Sequence, residues 1–147
     1  MKGVRWFEPL NMQIYRFLTK GVLMESEFFE NAVKAYFGDC TFQEAFARTG
    51  RHVNITITAS SEFSRGHLVL LNHISSPQVL IRSAVQATCS LPGLMQPVQL
   101  LAKDIQGNIV PYMKGGVKFL DGSLRADIPS KRLAQLFNAT QYIVSQV

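Results

Sequence analysis

The stretch Val117–Ser123, with the sequence VKFLDGS, decides the fold class of this chain. The apolar-rich run Val117–Leu120 leads directly into Asp121 and Gly122, so the pattern predicts a short strand that ends at an acidic residue. In open α/β sheets functional groups cluster at the carboxyl ends of strands, which makes Asp121 a candidate catalytic group. We expect Gly122 to let the backbone turn sharply and to leave the carboxylate unobstructed. Taken alone, Asp-Gly after a strand is more often a plain turn, and both interpretations stay open.

On both sides of this strand the sequence alternates between strand and helix patterns, which favours an α/β fold with one inserted β-hairpin. The other predicted strands are Val53–Thr58, His67–Leu71, Val98–Ala102, Asn108–Tyr112 and Gln141–Val147. The predicted helices are Leu10–Lys20, Ser26–Phe37, Thr41–Gly50, Ser76–Leu91 and Ser130–Phe137. Asp104–Gly107 is the predicted hairpin turn. Thr41 and Glu44 form a capping-box pattern, in which a hydroxyl and a carboxylate each satisfy a free backbone N–H.

Composition and charge limit the classes of function. Hydrophobic residues make up 47% of the chain and charged residues 17%, which is enough apolar material for one core. The formal charge of +5 is scattered along the sequence, which indicates a solvated basic surface. Such a surface favours anionic lipid over nucleic acid, because no basic stripe interleaves with aromatic residues. No run of about 18 apolar residues predicts a membrane span, and the widely separated Cys40 and Cys89 indicate a reduced, intracellular protein.

Aromatic residues are concentrated in the first quarter of the chain. They are Phe7, Tyr15, Phe17, Phe28, Phe29, Tyr36 and Phe37. The simpler interpretation is a set of core-facing helix stripes. The functional alternative is an apolar wall that takes up an acyl chain or touches a lipid surface.

Other residue types that carry chemistry have simpler structural interpretations. His52, His67 and His73 form no ligand-spaced pair, so we expect structural or surface histidines rather than a metal site or a Ser–His–Asp triad. Ser90 precedes a Leu-Pro-Gly break without flanking glycines and indicates the end of a helix. Asp127 is close to Asp121 in sequence, but its place before Ile-Pro fits a turn or a helix cap. No cofactor is implied.

One segment resembles a known family of enzymes. Phe119–Pro129, with the sequence FLDGSLRADIP, is similar to the segment around the catalytic aspartate of patatin-like acyl hydrolases, and most similar to the triacylglycerol lipase branch found in plants and fungi. Three further segments resemble the same branch in the same order: Thr41–Arg51, Ser83–Gly93 and Pro97–Asp104. The resemblance covers nearly all of the chain from about Trp6 onward.

The resemblance implies a Ser–Asp dyad. A serine in a Gly-x-Ser-x-Gly turn attacks the ester carbonyl, the aspartate accepts its proton, and backbone N–H groups of a glycine-rich loop stabilise the oxyanion. Only the aspartate maps onto this sequence, at Asp121. Gly122 and Ser123 are its neighbours in the motif, without a chemical role of their own.

The nucleophile of the family is missing from this sequence. A Gly-x-Ser-x-Gly turn needs two glycines four residues apart, and none of the ten glycines has that spacing. The glycine-rich oxyanion loop is also missing, and in the family both precede the segment that opens this chain. We therefore expect residues 1–147 to form a single partial patatin-like domain, its C-terminal half, with an open sheet flanked by helices. Such a half-domain is expected to expose an apolar sheet face and to associate.

Two functional hypotheses follow. The first is a fragment of a lipid acyl hydrolase that acts in lipid catabolism and is inactive by itself, because a lone carboxylate hydrolyses esters poorly. Its expected partners are a neutral lipid or phospholipid substrate, a membrane or lipid-droplet surface, and a complementing half-domain. The second is a non-catalytic, degenerate relative that binds lipid surfaces or a partner lipase. In both, the expected location is the cytoplasm or the periphery of a membrane or lipid droplet.

Overall fold

The computed structural model describes residues 11, 14–15, 18–19, 26–60, 68–92, 94–113, 116–122 and 128–145. Its helices are α1 (Ser26–Phe37), α2 (Phe42–Thr49), α3 (Ile81–Thr88) and α4 (Ser130–Phe137), and residues 11, 14, 15, 18 and 19 are also helical. Its strands are β1 (Ile55–Ala59), β2 (Leu68–Leu71), β3 (Val98–Gln99), β4 (Leu101–Lys103), β5 (Ile109–Pro111) and β6 (Lys118–Asp121). None of the described helices is long and apolar enough to cross a membrane.

The main sheet has four strands in the order β2-β1-β6-β3, and every neighbouring pair is antiparallel. β1 and β6 are therefore the central strands, and Ile57 lies opposite Asp121 of β6 and Val69 of β2. β4 and β5 form a separate hairpin that is closed by the turn at Asp104–Gly107. This arrangement confirms the α/β class with an inserted hairpin.

The core lies between the main sheet and the helices α2 and α3. Because side chains alternate along a strand, Ile57 and Phe119 point to the same face, where they pack with Leu71 and the small residues of α3. A smaller apolar cluster around Phe29 and Val33 joins α1 to this body. Arg82, which is 4% exposed, donates to Asp39 at 2.7 Å and lies 3.5 Å from Glu30, so an ion-pair network fixes α1 against α3.

Local sequence signals account for several element boundaries. Glu44 N–H donates to the Thr41 hydroxyl at 3.1 Å, and Thr41 N–H donates to the Glu44 carboxylate at 2.9 Å, which confirms the capping box. Gly50 ends α2 at a φ of 67°, a conformation that glycine adopts without strain. The predicted helices Ser26–Phe37 and Ser130–Phe137 have the bounds of α1 and α4.

Three predicted elements are wrong in part, and backbone pairing explains the first two. The helix predicted from Ser76 begins only at Ile81, because Val79 and Leu80 form β-bridges with Ala102 and Thr41. The strand predicted at Val98–Ala102 is broken at Leu100, and its halves β3 and β4 belong to different sheets. The strand predicted at Gln141–Val147 is not formed over residues 141–145, which are exposed and pair with no described strand, and residues 146–147 lie outside the described part.

The sequence predicts that a half-domain exposes an apolar sheet face, and this prediction is wrong for the described strands. In the main sheet only Leu68, at 37%, is a substantially exposed large apolar residue, and Leu70 is buried.

The aromatic residues near the N-terminus divide between two environments. Phe29 is buried and Phe28 and Phe37 are half-buried, whereas Tyr15 and Tyr36 are 68% and 70% exposed; Phe7 and Phe17 lie outside the described residues.

Candidate active site around Asp121

Asp121 is the last residue of β6 and is half-buried. Its backbone is held on both sides, because β6 pairs with β1 at Ile57 and the Asp121 N–H donates to the Ser90 carbonyl at 3.3 Å. The strand therefore delivers the carboxylate beside the end of α3, as the sequence pattern predicts for a strand-terminal acidic residue.

Two residues after α3 form one side of the Asp121 environment. Burial raises the pKa of the Cys89 thiol, and the negative charge of Asp121 raises that pKa further. Ser90 is fully buried, and its hydroxyl donates to the Gln86 carbonyl at 2.7 Å. Ser90 thus lies two residues beyond the last residue of α3, close to the expected helix end, and its hydroxyl is committed to the backbone. The Cys89 thiol stays protonated near neutral pH and is a poor substitute nucleophile, since the thiolate is the reactive form.

Gly122 allows β6 and β1 to approach each other closely. A Cβ atom at this position would lie 2.6 Å from the Thr56 carbonyl carbon, 2.7 Å from the Thr56 oxygen and 2.8 Å from the Ile57 nitrogen. The chain bends at Gly122, as expected, although this glycine does not adopt a left-handed conformation. Gly122 is required because the backbone of β1 occupies the space that a side chain needs.

A hydrogen bond from α3 fixes the same part of β1. The Thr88 hydroxyl donates to the Thr56 carbonyl at 2.9 Å, and this oxygen is the one that faces Gly122. Helix α3, strand β1 and strand β6 are therefore in contact at Gly122, the residue that follows Asp121. No local sequence pattern predicts the Thr88 or Cys89 contacts, because both join residues more than 30 positions apart.

The histidines come together in space but not around the carboxylate. His52 and His73 have ring centroids 4.9 Å apart and pack with Phe46 and Phe137. Among the residues that the structure describes, no three His, Cys, Asp or Glu side chains are grouped closely enough to hold a metal ion. His67 lies outside the described residues.

The environment of Asp121 is thus a fixed strand end next to the end of α3. Its backbone is held by β1 and by the Ser90 carbonyl, and its charge acts on the Cys89 thiol. Ser123 and Asp127, also considered from the sequence, lie outside the described residues. An ester hydrolase built on Asp121 needs a nucleophilic hydroxyl from another segment of polypeptide.

Comparison with known proteins identifies relatives over almost the whole chain. The family model described as patatin-like phospholipase matches residues 3–133. A patatin-like phospholipase domain-containing protein of Cryptococcus neoformans is 42% identical over 141 residues, which is 96% of this chain and 15% of that protein. Triacylglycerol lipase 4 and triacylglycerol lipase 5 of Saccharomyces cerevisiae are 40% and 36% identical over 95% of this chain. The chain spans 15% and 19% of the length of these two lipases.

Proposed function

The chain belongs to the patatin-like phospholipase family, and on that basis we propose that it carries the aspartate of a Ser–Asp dyad in a lipid acyl hydrolase. The observation that carries the proposal is the position of Asp121, which is fixed at the end of β6 in the segment that resembles the family's aspartate motif. In this proposal residues 1–147 are the aspartate-bearing half of the catalytic domain. The serine comes from a Gly-x-Ser-x-Gly segment that this sequence does not contain.

The proposed mechanism assigns one chemical step to this chain. The Asp121 carboxylate accepts the proton of the nucleophilic serine as its oxygen attacks the ester carbonyl, and returns the proton to the departing alcohol. Backbone N–H groups of the complementing half stabilise the oxyanion. Ser123 follows Asp121 in the motif and has no proton-transfer role.

We propose a neutral lipid ester, in the first place a triacylglycerol, as the substrate, with a phospholipid as the second choice. The names of the two yeast relatives support the first choice. The formal charge of +5 supports peripheral contact with an anionic lipid surface, such as the cytoplasmic face of a membrane or a lipid droplet.

The test is a chimaera in which this chain replaces the matching region of yeast triacylglycerol lipase 4. We expect triolein hydrolysis by the chimaera and a loss of about 10³-fold or more in Asp121→Asn, because removing a dyad member disables the nucleophile. Glu27→Gln, which neutralises an exposed carboxylate in the first turn of α1, should leave turnover unchanged. Equal thermal melts would show that both variants fold. Wild-type-like turnover in the Asp121→Asn chimaera would remove this residue from the mechanism.

The formal charge of +5 also fits a second candidate, a non-catalytic relative that binds lipid or a partner lipase. This candidate predicts that the chimaera folds, binds lipid vesicles and shows neither turnover nor labelling of its serine by a fluorophosphonate. An active chimaera would contradict it.

A further inference from the structure

A groove of about 340 Å³ lies next to strand β2, and Asp121 is not among its lining residues. Its walls are mainly apolar and include the whole of β2 (Leu68–Leu71), together with Leu100, Met113 and Phe119. Its volume falls within the range of about 300–1,000 Å³ that is typical of small-molecule sites. Such walls favour the binding of an alkyl chain, because burial of its apolar surface is favourable in free energy.

The polar groups of the groove are few. The Ser76 and Tyr112 hydroxyl oxygens lie 3.5 Å apart, and the Ser75 hydroxyl is already committed to the Leu70 carbonyl at 2.8 Å. Among the described residues of the lining, the cationic side chain is Arg132 of α4.

Arg132 is available to a ligand. It is exposed, and its Nη1 donates to Gln135 at 3.4 Å; among the described residues it has no carboxylate partner. A guanidinium presents paired N–H donors that match the two oxygens of a carboxylate. An apolar groove with a guanidinium that has no carboxylate partner among the described residues fits an amphiphilic anion, with its hydrocarbon chain against β2 and its head group at Arg132.

We propose that this groove binds a free long-chain fatty acid, whose carboxylate pairs with Arg132. The choice of occupant rests on the proposed function, because ester hydrolysis releases a fatty acid at this protein. The lining includes Phe119 but not Asp121, two residues later on the same strand.

The test is a titration of the full chain with oleate below its critical micelle concentration, read out by calorimetry and by displacement of a fluorescent fatty acid. We expect one saturable site that binds oleate at least tenfold more tightly than oleyl alcohol, since the alcohol has the same chain without the charge. Arg132→Gln should weaken oleate binding about tenfold and leave the alcohol unaffected, because a charge-assisted hydrogen bond is lost. Met113→Glu, at a 44% exposed wall position, should weaken both ligands.

Lys131→Gln is the matched control, since it removes the same charge from the neighbouring exposed position of α4, which does not line the groove. Equal losses in the Lys131 and Arg132 variants would overturn the proposal, as would non-saturable adsorption or equal affinity for acid and alcohol. Tighter binding of oleoyl lysophosphatidate than of oleate would overturn the choice of a fatty acid. The comparison of oleate with oleyl alcohol involves no ester, so its failure is distinct from failure of the dyad, which the Asp121→Asn chimaera reports.

Discussion

At Gly122 a side chain would occupy space that the backbone of β1 already fills. A Cβ atom added to Gly122 would have three backbone atoms of Thr56 and Ile57 in β1 within 2.8 Å. Backbone atoms in a central strand move only together with the sheet, so the contact is not relieved by a change of rotamer. The Asp-Gly pair thus combines the carboxylate of the proposed dyad with the residue that lets β6 lie close to β1.

We expect Gly122→Ala to lower the free energy of unfolding by about 3 kcal/mol, as overpacking against rigid neighbours does. Gly107→Ala is a useful comparison, because its φ of 84° makes alanine strained while no atom lies within 4 Å of the added Cβ. Gly107→Ala should lower the free energy of unfolding by about 1 kcal/mol, because only the left-handed backbone conformation penalises the alanine. Urea denaturation of both measures the difference. An alanine at 122 that is as stable as wild type would show that β1 and β6 are farther apart.

The sequence located Asp121 but not its surroundings. A strand pattern followed by Asp-Gly is local information, and it places the carboxylate correctly at the end of β6. The neighbours Cys89 and Thr88 approach across the sheet, and no periodicity reports such contacts. Arg132 was missed for the same reason, since an exposed helical arginine has no local signature that separates a ligand-binding role from a solvated one.

At the scale of the elements, boundaries set by adjacent residues were predictable and boundaries set by distant ones were not. The capping box of α2 is complete within four residues, Thr41 to Glu44. The late start of α3 has a different origin, because the Leu80 N–H donates to the Leu101 carbonyl at 2.8 Å and the Ile81 N–H to the Cys40 carbonyl at 2.9 Å. The Ser-Pro pattern predicts a helix start from adjacent residues only, and it carries no information about hydrogen-bond partners from other parts of the chain.

Glu44 connects α2 to the hairpin, and its contribution to stability depends on pH. Its carboxylate accepts from Lys103 Nζ at 2.7 Å, and this hydrogen bond, followed by that from the Thr41 backbone, lowers the Glu44 pKa below its ordinary value of 4.5. Because the folded pKa is the lower one, the stabilisation is fully present above about pH 4.5 and is lost as pH falls through the folded pKa.

We expect Glu44→Gln to lower the free energy of unfolding by about 0.5 kcal/mol at pH 7, a small effect because the pair is partly exposed to solvent. Near pH 2 the variant and the wild type should be equally stable, since the wild-type carboxylate is then protonated. Glu27→Gln serves as the control for loss of an exposed negative charge at a helix start. Urea denaturation at both pH values measures the effect. A penalty of the same size at both values would contradict the assignment to the Lys103 pair.

At the scale of the whole molecule, the described part of the chain buries its sheet and exposes apolar side chains elsewhere. Ile14, Tyr15 and Leu18 are 52%, 68% and 78% exposed, and their i, i+1 and i+4 spacing places them on one side of the N-terminal helical segment. We call these three residues the N-terminal apolar patch. Contiguous exposed apolar surface of this kind marks a contact with another surface.

We expect the isolated chain to self-associate through the N-terminal apolar patch, with a sedimentation coefficient that rises with protein concentration. Leu18→Glu places a charge in the patch and should shift the population toward monomer, because pairing would then bury an unpaired carboxylate. Asn31→Glu adds the same charge at an exposed position of α1, outside the N-terminal apolar patch, and should leave the association unchanged. A monomeric mass at all concentrations, together with a cooperative melt, would contradict self-association. Equal effects of the two glutamates would assign the association to net charge rather than to apolar contact.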